Sequence, residues 1–277
     1  MIPGVFARTY AARFPGELFA RIRADGFTAV QFNLACAGLA SLPDAFPEGI
    51  GSVIADGART AGVSLCALSG TYNMAHPDAK RRNADRKGFL NVLRAAHDMD
   101  VRLVTLCTGS RDPSNMWAAH PENASSNAWS TLVEELEFAI PAAEALGIRL
   151  GIEPEPGNVI ADATLARKVL DQIGSKTLGI VLDAANLLPP ELHHRQADVV
   201  AQATDLLAAD MLLVHAKDVD RDGRHVPAGK GAVDLRAFVA RVKQAGYDGP
   251  LVAHNFDEAD APYVATYLST LIAEQAA

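Results

Sequence analysis

The stretch ALGIRLGIEPEPG, residues 145–157, decides the fold. A helix-like segment ends at Gly147, the apolar run IRLGI follows at once, and the run closes on two carboxylates, Glu153 and Glu155. Glycine fits the left-handed position that ends a helix, and the β-rich residues behind it open a strand. The same junction recurs at ADGFTAVQFNL (24–34), TAGVSLCALSG (60–70) and QAGYDGPLVAHNF (244–256), with Gly26, Gly62 and Gly246 in the closing place. Three further runs, VRLVTLCTG (101–109), LGIVLDAANL (178–187) and MLLVHAKDV (211–219), read as strands buried on both faces, and a weaker first strand lies at 2–7.

After the first, the strand centres fall near residues 31, 66, 105, 151, 181, 213 and 252. Their spacing of about 35 residues accommodates one strand, one helix and two loops. Amphipathic stretches fill the gaps: Leu132, Leu136, Ile140 and Leu146 recur at helical spacing over 131–146, and Phe89, Val92, Leu93 and Ala96 do so between Lys87 and Asp98. Helical solenoids share such periods but lack these short Val, Ile and Leu runs. The expectation is an α/β chain forming a closed (β/α)8 TIM barrel, a single domain over residues 1–277. An open doubly wound sheet is the alternative, and the lack of GxGxxG after the first strand counts against it. The longest interruptions, 70–86, 108–127 and 218–234, all follow strands, at the end where barrels build their sites.

Of the 277 residues 49% are hydrophobic and 21% charged, with a formal net charge of −8, which sets disorder aside and disfavours nucleic acid and anionic membrane as partners. Apolar runs are too short for a membrane span, and Arg8, Arg13, Glu17, Arg21 and Arg23 break up the first residues, so no signal peptide is expected. Cys36, Cys66 and Cys107 carry no CxxC spacing and suit a reducing cytoplasm. A small-molecule substrate is the expected partner, and self-association into a homo-oligomer is left open.

Charged side chains inside a buried apolar run are costly unless they ligate, pair or react. Here they end four consecutive strands: Glu153 with Glu155, Asp183, His215 and His254. One Asp or His at a strand end is an ordinary helix cap, but capping alone does not account for four in a row. At a barrel mouth Glu153, Asp183, His215 and His254 would converge as ligands of one divalent metal ion. Mn²⁺ or Zn²⁺ best suits the mixed oxygen and nitrogen donors, and Mg²⁺ or Co²⁺ is compatible with them.

The motifs IEPEPG (152–157), VLDAAN (181–186), VHAKD (214–218) and the stretch 227–256, in this order, resemble the xylose-isomerase-like barrels of the sugar phosphate isomerase/epimerase superfamily. The resemblance implies one divalent metal at the mouth and proton transfer on a sugar, sugar phosphate or polyol. By it, Glu153 is the ligand that also handles the substrate proton, and Asp183 and His215 are ligands on strands six and seven. His254 departs from the pattern, standing where members usually carry a glutamate that ligates and acts as second acid/base. Asn186 stands where many carry a substrate-contacting histidine.

A cation holding a carbonyl and its neighbouring hydroxyl acidifies the adjacent C–H and stabilises the enediolate left by proton abstraction. Glu153 is the expected base, with Glu155 or His254 as its catalytic partner and Lys217 placed to neutralise an oxyanion or to pair with Asp218 or Glu155. The function expected is isomerisation or epimerisation. The alternatives are a metal-dependent dehydratase of a polyol ketone and a sugar-binding barrel that has lost catalysis. DNA hydrolysis, run by endonucleases of the same superfamily, needs further histidine ligands, and the ends ALSG and LCTG of strands three and four supply none. Expected substrate contacts are Asn186, Lys217, Gln31 and, in GTYNMAHPD, Asn73 and His76. Asn33, Trp117 and His120 are further candidates, His193 and His194 read as surface residues, and GKG (229–231) as a turn whose Lys230 reaches an anionic ligand.

Overall fold

A computed structural model describes residues 1–11 and 13–275. All eight expected strands are present: β1 (Ile2–Phe6), β2 (Ala29–Phe32), β3 (Ser64–Ser69), β4 (Leu103–Cys107), β5 (Arg149–Glu153), β6 (Leu178–Asp183), β7 (Met211–His215) and β8 (Pro250–Ala253). They close in the order β1-β8-β7-β6-β5-β4-β3-β2, with parallel neighbours throughout. The outer helices are α1 (Pro15–Ala24), α2 (Ile50–Ala61), α3 (Ala79–Asp98), α4 (Ser126–Ala145), α5 (Ala163–Ile173), α6 (Gln196–Leu207), α7 (Leu235–Gln244) and α8 (Ala261–Glu274). This is the (β/α)8 barrel. At the junctions Gly26, Gly62, Gly147 and Gly246 have φ of 110°, 73°, 65° and 93°, values at which a β-carbon would be strained. No described helix is long and apolar enough to cross a membrane.

Helix α3 corrects the reading of 70–86 as loop, since it begins at Ala79. The Asp78 carboxylate caps it by accepting from the Lys80 amide at 2.8 Å. Its charged first turns are held from α4: Arg82 and Arg86, one turn apart, donate to the fully buried Glu135 at 2.9–3.0 Å, and the Tyr72 hydroxyl donates to it at 3.0 Å. A charge run that looks solvated is one side of a buried ion pair.

Alternate residues of a strand face one side, and the register stacks the barrel interior in layers. Ala67, Leu103, Val181, Leu213 and Val252 pack into one apolar layer. Two residues further along the same strands come Ser69, Thr105, Asp183, His215 and, just past β8, His254. Asp183 pairs with His215 and Cys107 with Glu153 across neighbouring strands. The upper layer is therefore polar where the layer beneath is apolar, and it forms the floor of the mouth.

Candidate metal centre

Glu153, Asp183, His215 and His254 each offer a donor atom, and the four donors lie within 4.8 Å of one another. All four side chains are buried, at 7%, 1%, 2% and 9% exposure. The His215 Nδ1 is 3.2 Å from Glu153 Oε1 and 3.9 Å from Asp183 Oδ2, and the His254 Nε2 is 3.1 Å from the same Asp183 oxygen. Asp183 serves twice: Oδ1 accepts from the Ala185 amide at 2.9 Å, capping the short turn Ala184–Leu187, while Oδ2 faces the cluster.

Neighbouring amides set the orientation of the donors. The Gln31 amide donates to Thr105 Oγ1 at 3.2 Å, which turns its Oε1 to His215 Nε2 at 2.7 Å. The ring then donates from Nε2 and presents Nδ1 to the cluster, the usual way an imidazole ligand is fixed. Asn186 donates to Glu153 Oε1 at 2.9 Å and accepts from the Lys217 ammonium. Lys217 also lies 3.6 Å from Asp183 and 3.7 Å from Glu155. Asp218, its other expected partner, turns away and accepts from the amides of Val219, Gly229, Gly231 and Val233.

These contacts set the charges. Burial opposes ionisation of Glu153, but His215, His254 and Lys217 outweigh it and hold the carboxyl below its ordinary value. Burial likewise opposes charge on Asp183, and Lys217 with the bonded His254 again prevails. For His215, burial is outweighed by Glu153 and Asp183, which raise its pKa, whereas burial keeps His254 below its ordinary value. Lys217 is held charged against burial by Asp183, Glu155 and Glu153. Burial and the Glu153 charge push the Glu155 carboxyl up to about 7.

The donor set fits a divalent ion. Glu153 and Asp183 bring two negative charges against the Lys217 ammonium, and Glu155 adds a third when it ionises, all in a low-dielectric floor. Two carboxylates and two imidazoles aimed at one point suit Mn²⁺, Zn²⁺ or Co²⁺ more than the all-oxygen shells of Mg²⁺.

Above the cluster opens a cavity of ≈ 750 Å³, bordered among others by Gln31, Thr105, Trp117, Glu155, Lys217 and His225. Asn33 and Asn186 line it, whereas Asn73 and His76 do not. Asn73 Oδ1 accepts from the Ser110 amide at 2.9 Å, and the His76 ring meets the Pro113 carbonyl at 3.2 Å. Both brace the loop after β4. His120 similarly caps its own turn by accepting from the Glu122 amide, and Lys230 pairs with Asp260 at 2.8 Å. His194 is exposed, but His193 is half-buried against the Leu188 carbonyl at 3.0 Å. Trp117, 51% exposed, stands at the rim. Its carbonyl lies so close to Gly157 that a β-carbon there would sit 2.0 Å from the oxygen.

Arg8, Ser69, Thr71, Cys107, His225 and Asn255 also line the cavity and were not picked out as contacts from the sequence. Ser69 and Cys107 carried a readable signal, being the last residues of their strands, with Cys107 directly beside Glu153. Arg8, two residues past the end of β1, carried a strand-end signal too, and His225 carried none.

The chain belongs to the xylose isomerase-like TIM barrel family, whose model matches residues 19–270. Among solved structures it is similar to a 3-keto-D-glucoside 4-epimerase from E. coli (TM-score 0.78, 17% identity, 99% of each chain covered). It is also similar to the IOLI protein with a bound zinc atom (TM-score 0.72, 16% identity, 99% of each chain covered). At such identities the likeness is one of fold. An uncharacterized protein of Methanocaldococcus jannaschii is 26% identical over 198 residues, a match that spans 68% of this chain and 62% of that relative.

Proposed function

We propose that this protein is a divalent-metal-dependent isomerase or epimerase of a sugar, sugar phosphate or related polyol, held in a reducing cytoplasm. The observation that carries the reading is the convergence of Glu153, Asp183, His215 and His254, two carboxylates and two imidazoles, on one point of a polar cavity floor. The E. coli neighbour named as a 3-keto-D-glucoside 4-epimerase supports the substrate class, and the zinc in the IOLI protein supports the metal.

When bound, the cation supplies charge withdrawal from a substrate carbonyl and its neighbouring hydroxyl. Glu153 takes the proton from the carbon between them, kept ionised by its cationic neighbours and fixed by the Asn186 amide. Glu155 reaches the same cavity from two residues on and returns a proton. It replaces the glutamate that relatives are expected to carry at the position of His254. Lys217, anchored by Asn186, faces the oxyanion that develops as the proton leaves.

The test is incubation of the Mn²⁺-loaded protein in deuterium oxide with a panel of ketoses, aldoses and inososes, followed by NMR. Deuterium gained at one carbon, with a new epimer or isomer, is the expected result. Label followed by loss of a neighbouring hydroxyl would identify a dehydratase, and a bound sugar that never exchanges would leave only a binding barrel.

A further inference from the structure

We infer that the β1–β2 side of the mouth is an anion subsite, in which Arg8 and Asn33 hold a phosphate or carboxylate at the end of the substrate remote from the metal. The subsite narrows the substrate of the proposed function to an anionic sugar, and it rests on that reading for which end of the substrate reacts. Its position follows from the register. Phe6 of β1 pairs with Gln31 of β2, and two residues beyond that pair stand Arg8 and Asn33. Gln31 belongs to the floor, where it bonds His215, and Phe6 sets its ring edge against His254 with centroids 6.4 Å apart. Asn33 continues β2 in extended backbone, so it stands one layer above the metal donors, roughly 7 Å up the strand. Arg8 lies in the turn Ala7–Thr9, which is anchored by buried Ala7 and Tyr10 and closed by the Tyr10 amide donating to the Ala7 carbonyl at 3.0 Å.

This side of the cavity presents donors without acceptors to match. Asn33 is 5% exposed, and its Oδ1 is occupied by the Ala35 amide at 2.9 Å and the Ser41 hydroxyl at 3.0 Å. Those two donors fix which way round the amide sits. Its Nδ2 is left with no hydrogen-bond partner among the described residues, on a side chain that lines the cavity. A buried donor without an acceptor is costly unless a ligand supplies one. Arg8 borders the same cavity and has no ion-pair partner among the described residues, whereas Arg13 and Arg21 of the same segment pair with Glu258 and Asp25. Its planar fork of N–H groups matches two oxygens of a carboxylate or phosphate.

The distribution of charge gives the substrate a direction. The acids bordering the cavity, Glu153 and Glu155, stand at the end of β5, which the closed strand order puts diametrically opposite β1. An anion at Arg8 therefore meets donors and no acid. The reacting carbons lie over the metal donors and Glu153, and the charged end reaches across and upward to Arg8.

The experiment is isothermal titration of the Mn²⁺-loaded full chain, dialysed free of excess ion, with D-fructose, D-fructuronate and D-fructose 6-phosphate. These share one carbon chain and end in hydroxyl, carboxylate and phosphate. At least one anion should bind about tenfold or more tighter than fructose, and which of the two gains more tells carboxylate from phosphate. Arg8→Gln should weaken that anion by about 10- to 100-fold and leave fructose within about twofold. Arg8→Lys should recover part of the loss. Asn33→Asp keeps an acceptor for Ala35 and Ser41 but turns the free donor into a carboxylate oxygen, and it too should weaken the anion. Arg23→Gln removes the same charge from an exposed position off the cavity and should change nothing. Equal affinity for all three ligands, a preference that survives in Arg8→Gln, or an equal loss in Arg23→Gln would overturn the subsite. Binding needs no turnover, so the two readings fail separately: a preference without deuterium exchange upholds the subsite and sinks the isomerase, and exchange without a preference does the opposite.

Discussion

Glu135 on α4 and the acids at the mouth are both buried carboxylates, and they are built on opposite terms. At Glu135, on α4, both oxygens are occupied: Arg82, Arg86 and Tyr72 donate to them, and positive charge is at least matched. At the mouth, Glu153, Asp183 and Glu155 face one lysine, and their donors point at a common centre. Burial alone therefore does not mark a functional site. A buried acid that is fully bonded closes a structure, whereas buried acids left in excess hold a place for something the chain does not supply.

The sharpest way to break this contrast is to neutralise one acid in each place. Glu153→Gln should reduce deuterium exchange into substrate by on the order of 10³-fold or more, because it removes the base. Its thermal stability should fall by less than that of Glu135→Gln, since Asp183 remains beside Lys217 and His215 while the lowered carboxyl of Glu153 gives up only its own charge pairing. Glu135→Gln should do the reverse. It leaves two arginines without their counter-charge and costs about 3 kcal/mol of stability in denaturant unfolding, while metal content stays unchanged. A stable Glu135→Gln protein, or a Glu153→Gln protein no more stable than it, would erase the distinction.

Metal itself should separate the two places next. An ion that binds only the folded chain stabilises it by about 2.7 kcal/mol at a hundredfold excess over its Kd. That gain, read as a rise in Tm on adding Mn²⁺, should be absent in Asp183→Ala together with retained metal in elemental analysis. It should persist in Glu135→Gln on its lower baseline. Metal retained by Asp183→Ala would remove Asp183 from the ligand set.

The two places also differ in how far the sequence discloses them. Asp183, His215 and His254 are legible because each follows an apolar run, and strand ends of one parity must meet at the mouth of a barrel. Glu135 lies three residues after Leu132 and one before Leu136, on a helix face that the pattern already marks as buried, but its partners were concealed in the run KRRNADRK, which looks like a solvated loop. Asn73 and His76 were expected at the substrate, and the structure places both against the loop after β4. Nothing local distinguishes an amide that faces a ligand from one that accepts a hydrogen bond from the next loop, and here the loop after β4 claims them. His225 reaches the cavity from the long segment after β7, which no spacing reports.

The smallest expected effect tests His254, which stands where the family resemblance leads to the expectation of a glutamate. His254 sits on the cluster with its Nε2 bonded to Asp183 and its charged form disfavoured by burial, so it acts as a neutral donor. His254→Glu replaces that donor with a carboxylate and makes the set three oxygens to one nitrogen. Metal should still bind, but the preference for Zn²⁺ over Mn²⁺ should fall by about tenfold, roughly 1.4 kcal/mol, as the donors harden. Competition dialysis with both ions measures it. Exchange into substrate should survive the change, because Glu155 rather than residue 254 returns the proton. If His254→Glu raised exchange by orders of magnitude, the second acid/base would belong on strand eight after all, and Glu155 would be left as a partner of Lys217.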